Sequence, residues 1–266
     1  MINLTEVAAG AGERVIFVHG TPGWGSDTFP DQLQLADSFE VHLIDRRGYP
    51  DNPASDRVGF DVDTEDILGL LGDGAHLVGQ SYGGVGCLLA AASAPEKIQS
   101  LTVIEPAAYS IARGEPATEE LIRRLESMLY ARAHDTVMDA YRAYAESFGM
   151  TLPDDLTLTE RELRSIQPIM IERPAWEADI PLERLRGLPI AIVSGTYGEN
   201  SDSLRARARH AICAALVREL NAKEVVLEGG GHNPQIEVSE AFNKWLRSFL
   251  NRAGVGESPR DRRSRF

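Results

Sequence analysis

Two cysteines in 266 residues form no disulfide framework and follow no metal-ligand spacing. Cys87 and Cys213 each sit in an apolar helical pattern and read as small buried hydrophobes, with no disulfide and no metal implied. Basic residues are also scarce: 27 Lys and Arg face 40 Asp and Glu, for a formal net charge of -13. That deficit speaks against nucleic acid or an anionic membrane surface as the main partner. No apolar run reaches the roughly 18 residues of a membrane span. The N-terminus also lacks the basic stretch and apolar core of a secretory signal. The expectation is a cytoplasmic protein that acts on a small molecule. Basic charge gathers in one place only, where Arg260, Arg262, Arg263 and Arg265 crowd the segment 254–266 beside Gly254, Gly256 and Pro259. That segment reads as a disordered tail.

What is present is the material of one large domain, or of a domain with an insertion, with 43% hydrophobic residues to form its core. Short apolar runs rich in β-branched residues fall at Arg14–His19, Val41–Asp45, Ala75–Gln80, Leu101–Glu105, Pro189–Ser194 and Glu224–Leu227. Helical patterns lie between them, near Pro30–Ser38, Asp61–Leu71, Tyr82–Ala94, Ser203–Asn221 and Val238–Asn251. Strands apolar on both faces and separated by helices predict an α/β fold, a mostly parallel sheet covered on both sides. The alternation stops across 107–187. There Thr118–His134, Asp135–Met150 and Thr159–Ile171 carry helical periodicity and no strand pattern is evident. This predicts a sheet core from 1–106 and 188–253, interrupted by an all-helical cap over the strand ends. The cap's tyrosines, methionines and Trp176 are candidates to line a pocket.

The chemistry concentrates at strand ends. Gly79-Gln80-Ser81-Tyr82-Gly83 follows an apolar strand and opens an alanine-rich helix. A Gly-x-Ser-x-Gly in that setting makes a turn tight enough to expose the serine hydroxyl as a nucleophile. His19-Gly20-Thr21-Pro22-Gly23 leaves the first strand. Pro22 has no N–H, so Thr21 is the natural backbone donor to an oxyanion, with the Tyr82 N–H as the second. His232 rides on Gly229-Gly230-Gly231 after the last strand and suits a general base. His19 is a candidate to brace the oxyanion turn, while His42, His76, His134 and His210 lie inside strand or helix patterns. Three carboxylates compete to orient His232: Glu105 at a strand end, and Glu199 and Asp202 after the strand Pro189–Ser194. Asp202 also suits a helix N-cap.

These pieces, together with Asp45-Arg46-Arg47-Gly48-Tyr49 and Val103-Ile104-Glu105-Pro106, resemble the serine-nucleophile branch of the α/β-hydrolase superfamily that carries a helical cap. The resemblance runs from Arg14 to about Asn251. It implies a catalytic triad of Ser, His and acid, an oxyanion hole and no cofactor. The chain departs from the family in two ways. Only about a dozen residues precede Arg14, which shortens the first strands, and the usual acid positions hold Tyr197 and Gly198. Some members place the acid after the preceding strand, which favours Glu105 over Asp202 and Glu199. The expected activity is hydrolysis of a carboxylic ester or lactone through an acyl-enzyme on Ser81. A lyase, C–C hydrolase, acyltransferase or perhydrolase in the same site, or a noncatalytic small-ligand receptor, are the alternatives. Arg46 and Arg47 are weighed both as partners of a substrate carboxylate and as structural ion-pair residues.

Overall fold

The computed structural model describes residues 6–130 and 136–254. Seven strands form one sheet: β1 Glu6–Ala9, β2 Glu13–Val18, β3 Phe39–Ile44, β4 Ala75–Gln80, β5 Ile98–Ile104, β6 Ile190–Gly195 and β7 Lys223–Leu227. Their order across the sheet is β1-β3-β2-β4-β5-β6-β7. All neighbours run parallel except β1, which pairs antiparallel with β3, Glu6 opposite Ile44. The six strands expected from sequence are present within a few residues of their expected bounds. β1 was not among them, because four residues on a sheet edge carry too short a pattern to read.

Alternation within the buried strands feeds two cores. Ile16, Leu77, Val103 and Ile192 point into one, while Phe17, Val78, Ile104 and Val193 point into the other. Over the first face lie α2 Phe60–Leu70, α3 Ser81–Ser93 and α7 Leu204–Leu220, and over the second α9 Ser239–Gly254. Two single turns, α1 Gly25–Thr28 and α8 Pro234–Glu237, sit at strand exits. The helix expected over Pro30–Ser38 is a 3-10 stretch, Gln32–Asp37. Its Gln32 amide is drawn inward to donate to Gln235 O (3.0 Å) and Asn243 Oδ1 (2.9 Å).

Between β5 and β6 the described residues contain helices only. The main ones are α4 Pro116–Tyr130, α5 Val137–Ser147 and α6 Glu160–Ile166, the last continued by a 3-10 turn at Gln167–Met170. Thr136 and Thr159 start α5 and α6 with reciprocal capping boxes to Asp139 and Glu162. Pro168, which has no N–H to donate, marks where α6 gives way to the tighter turn. Leu121, Ile122, Leu125 and Met128 form the buried face of α4, as their spacing predicts. His134 and the basic tail lie outside the described residues, apart from Gly254, which ends α9.

Candidate active site

The sheet order reverses between β2 and β4: from β2 the chain moves outward to β3, and from β4 it moves the other way to β5. A crevice opens at the carboxyl ends of strands wherever such a reversal occurs. Thr21, just beyond β2, and Ser81, at the end of β4, both border it. Ser81 holds φ +50, a left-handed conformation that costs a non-glycine residue energy and lifts its side chain clear of the strand. The motif glycines permit the turn. A Cβ on Gly83 would collide with the His19 carbonyl, and one on Gly79 would come within 2.7 Å of Gly84 Cα. The following residue is anchored by its hydroxyl, Tyr82 OH donating to Arg173 O at 2.6 Å.

Glu105 stands at the end of β5, fully buried, with φ +46. Its Oε1 accepts from Gly195 N (3.1 Å) and its Oε2 from Tyr197 OH (2.6 Å). Oε2 also lies 3.7 Å from His232 Nδ1, just beyond hydrogen-bond length. That nitrogen has no hydrogen-bond partner among the described residues. Burial pushes the Glu105 carboxyl up, opposed by the Tyr197 hydrogen bond and the Arg209 charge. Burial, then the charges of Arg205 and Arg209, hold His232 well below the ordinary imidazole value, so the ring is kept neutral, with a lone pair free to accept a proton. The histidine loop is tied to its neighbours: Gln80 Nε2 donates to His232 O (3.3 Å) and Asn233 Oδ1 (2.9 Å), and Tyr197 N donates to Gly230 O (2.8 Å).

The structure thus brings Glu105 to His232 and leaves the other two carboxylates outside. Glu199 and Asp202 are exposed in the turn before α7. Asp202 is not the N-cap of α7 either. Ser203 is, its Oγ accepting from Ala206 N at 3.2 Å. The cap must sit immediately before the first helical residue, and Asp202 is one position too early.

On the oxyanion side, His19 Nδ1 hydrogen-bonds Gly20 O (2.7 Å) and its Nε2 accepts from Arg46 N (2.9 Å), bracing the turn as expected. The Thr21 hydroxyl is committed elsewhere, donating to Glu172 Oε2 at 2.7 Å. Glu172 enters from the helical insert and is buried between Arg46, Tyr49 OH (2.8 Å) and Thr21. Arg46 also pairs with Asp63 (2.8 Å), and Arg47 with Asp66 (2.6 Å). Both arginines are therefore ion-pair partners within the fold and are not available to a substrate carboxylate. Among the other histidines, His42 pairs with Glu40 (3.0 Å), His76 bonds Ser100 (2.7 Å) and His210 holds Gly195 O (2.9 Å).

Leu125, Met128, Tyr144, Phe148, Ile169 and Trp176 of the insert close over Ser81, leaving a cavity of about 50 Å³. Arg209 of α7 also borders it. Its Nη2 lies 3.5 Å from Ser81 Oγ and donates to Tyr109 OH (3.1 Å), and its Nη1 donates to Pro106 O (2.7 Å). Arg209, Arg205 and Tyr197 escaped the sequence reading. Tyr197 was visible only as a non-carboxylate at an acid position. The arginines' signal was their i, i+4 spacing in Leu204-Arg205-Ala206-Arg207-Ala208-Arg209, which a solvated helix face also shows. No group of three or more His, Cys, Asp or Glu among the described residues is arranged to hold a metal ion.

The profile of the Alpha/beta hydrolase family matches residues 15–245. The chain belongs to the α/β-hydrolase family. This hydrolase is 29% identical over 256 residues to a pimeloyl-[acyl-carrier protein] methyl ester esterase of Aeromonas hydrophila, covering 91% of this chain and 96% of that protein. It is 29% identical over 267 residues to the 2-(acetamidomethylene)succinate hydrolase of Mesorhizobium japonicum, covering 94% and 92%. Its fold matches that of a thermophilic esterase from Thermogutta terrifontis with a TM-score of 0.64 at 20% identity, covering 94% and 93% of the two chains. The hydrolase expected from sequence, and the ester-cleaving kind in particular, agrees with these relatives. No helix among the described residues is long and apolar enough to cross a membrane.

Proposed function

We propose that this α/β hydrolase cleaves a carboxylic ester or lactone of a small molecule through an acyl-enzyme on Ser81. The observation that carries the reading is Ser81 in a strained left-handed turn at the sheet's reversal point, with the buried Glu105–His232 pair at neighbouring strand ends. In the reaction Ser81 Oγ attacks the ester carbonyl and His232 takes its proton, while Glu105 steadies the imidazolium that forms. Backbone N–H groups of Thr21 and Tyr82 receive the oxyanion. His232 returns the proton to the leaving alkoxide. Water, activated by the same ring, then releases the acid. The 3.7 Å between His232 Nδ1 and Glu105 Oε2 closes to hydrogen-bond length when substrate seats, as such contacts do in other triads. The relatives that are named esterases support this substrate class, and the apolar lining from the insert favours a small acyl or alcohol group. The reading includes a cytoplasmic location, which the two buried free cysteines support.

A fluorophosphonate probe tests the reading. It should label the wild type and not Ser81→Ala, and the wild type should turn over short p-nitrophenyl esters. Tight ligand capture without labelling or turnover would make the protein a receptor and end the hydrolase reading.

A further inference from the structure

Arginine side chains in a protein interior are almost always paired with a carboxylate, because an isolated buried cation is costly. Arg46 obeys this rule with Asp63 and Glu172. Arg209 does not. It is 1% exposed, forms no ion pair among the described residues, and its Nε has no hydrogen-bond partner. Its acceptors are neutral, Pro106 O and Tyr109 OH. One helical turn earlier Arg205 repeats the anomaly. Its Nε is likewise buried without a partner, its Nη1 meets only Met150 Sδ at 3.1 Å, and its guanidinium lies over the Phe148 ring at 5.1 Å. Arg209 borders the cavity that holds Ser81, and Arg205 the adjoining hollow that holds His232. Of the buried acids nearby, Glu105 is occupied by Gly195 and Tyr197, and Glu172, which borders the same cavity, by Arg46, Tyr49 and Thr21.

We propose that Arg209, assisted by Arg205, binds a carboxylate carried by the acyl part of the substrate, so that the enzyme acts on half-esters of short dicarboxylic acids or on lactones bearing a nearby carboxylate. The inference rests on the hydrolase reading of Ser81 and deepens it. The spacing sets the chain length. Arg209 Nη2 is 3.5 Å from Ser81 Oγ. A carboxylate oxygen held about 2.9 Å from that nitrogen then lies within about 6 Å of the nucleophile. Two or three bonds between the carboxylate carbon and the scissile carbonyl carbon fill that gap, and a long-chain diacid overshoots it. The guanidinium fork suits a planar carboxylate, and the binding would give Arg209 the direct carboxylate partner that it lacks among the described residues.

The test compares monomethyl succinate with methyl 4-methylpentanoate, in which a branched alkyl end replaces the carboxylate. Wild type should favour the half-ester in kcat/KM by at least about tenfold. That ratio should fall toward one in Arg209→Lys, which keeps a buried cation but loses the fork, and should fall less in Arg205→Met, which alters a partly exposed side chain. Succinate binding to Ser81→Ala protein, read by calorimetry, should weaken at least about tenfold in the Ser81→Ala/Arg209→Lys double variant. Equal turnover of the two esters by wild type, or ratios unchanged in both variants, overturns the carboxylate site while fluorophosphonate labelling leaves the hydrolase standing. Succinate binding that depends on Arg209, without labelling or turnover, upholds the site and removes the hydrolase.

Discussion

Tyr197 OH donates to Glu105 Oε2 at 2.6 Å, the same oxygen that His232 Nδ1 approaches to 3.7 Å. The two residues come from different strand exits, and both carry positive φ, +60 and +46. Tyr197 occupies one of the two positions at which the family resemblance expects the acid. On the proposed assignment Glu105, at the end of β5, is the acid and Tyr197 supplies a hydroxyl that holds it.

Removing that hydroxyl should be felt at the acid. Tyr197→Phe takes away the largest influence that opposes burial at Glu105, so the carboxyl rises further. The fraction ionised at a given pH falls, and the acid limb of kcat should move to higher pH, with a loss of about tenfold near neutrality. A pH–rate profile of the variant beside wild type checks this. An unchanged limb would show that Tyr197 only packs against the acid.

Glu105→Gln should lower kcat by about a hundredfold to ten-thousandfold, the range seen when a triad acid is neutralised. Asp202→Asn, at an exposed position one residue before the α7 cap, should leave kcat within about twofold, as an exposed change away from any special feature does. If Asp202→Asn alone were crippling, the assignment of the acid would be wrong.

His232 is held below its ordinary value of 6.5 by burial and by Arg205 and Arg209. Its neutral form is the general base, so activity falls only once the pH drops through the depressed value. The acid limb assigned to His232 in kcat/KM should therefore lie below 6.5. Arg205→Met removes one of the depressing charges and should shift that limb upward, toward the ordinary value.

Glu172 ties the helical insert to the core through Arg46, Tyr49 and Thr21. Glu172→Gln keeps the shape but leaves Arg46 with Asp63 as its carboxylate partner, and should cost about 3 kcal/mol, the scale for breaking a buried pair. A fall in Tm would report it. Because the same residue bonds the Thr21 side chain, kcat should fall as the proposed oxyanion turn loosens.

Much of the fold was legible because its signals are local. Five of the parallel strands announced themselves as apolar runs buried on both faces, β7 as a half-buried edge run, and α4 by one apolar stripe. Ser81 was legible because its turn demands glycine on either side, and His232 because few structural roles suit a histidine on a triple-glycine loop. Edge strand β1 and the 3-10 turn at Gln32–Asp37 were not, since each depends on partners far along the chain. Arg46 and Arg47 illustrate the same limit. Their place after β3 could be read, but their commitment to Asp63, Glu172 and Asp66 follows from how α2 and the insert pack.

By itself the sequence determined the architecture and singled out Ser81 and His232 as candidates for nucleophile and base, because periodicity and turn chemistry act over a few residues. The tertiary structure alone decided which carboxylate meets His232, because that depends on β5 and β7 flanking β6 in parallel, so that both end at the same edge of the sheet. It also decided that Arg209 is a buried cation, and Arg205 a partly buried one, without an acid partner among the described residues. A helix shows its charges in sequence, but which of them face a cavity is fixed only when the helix docks on the sheet.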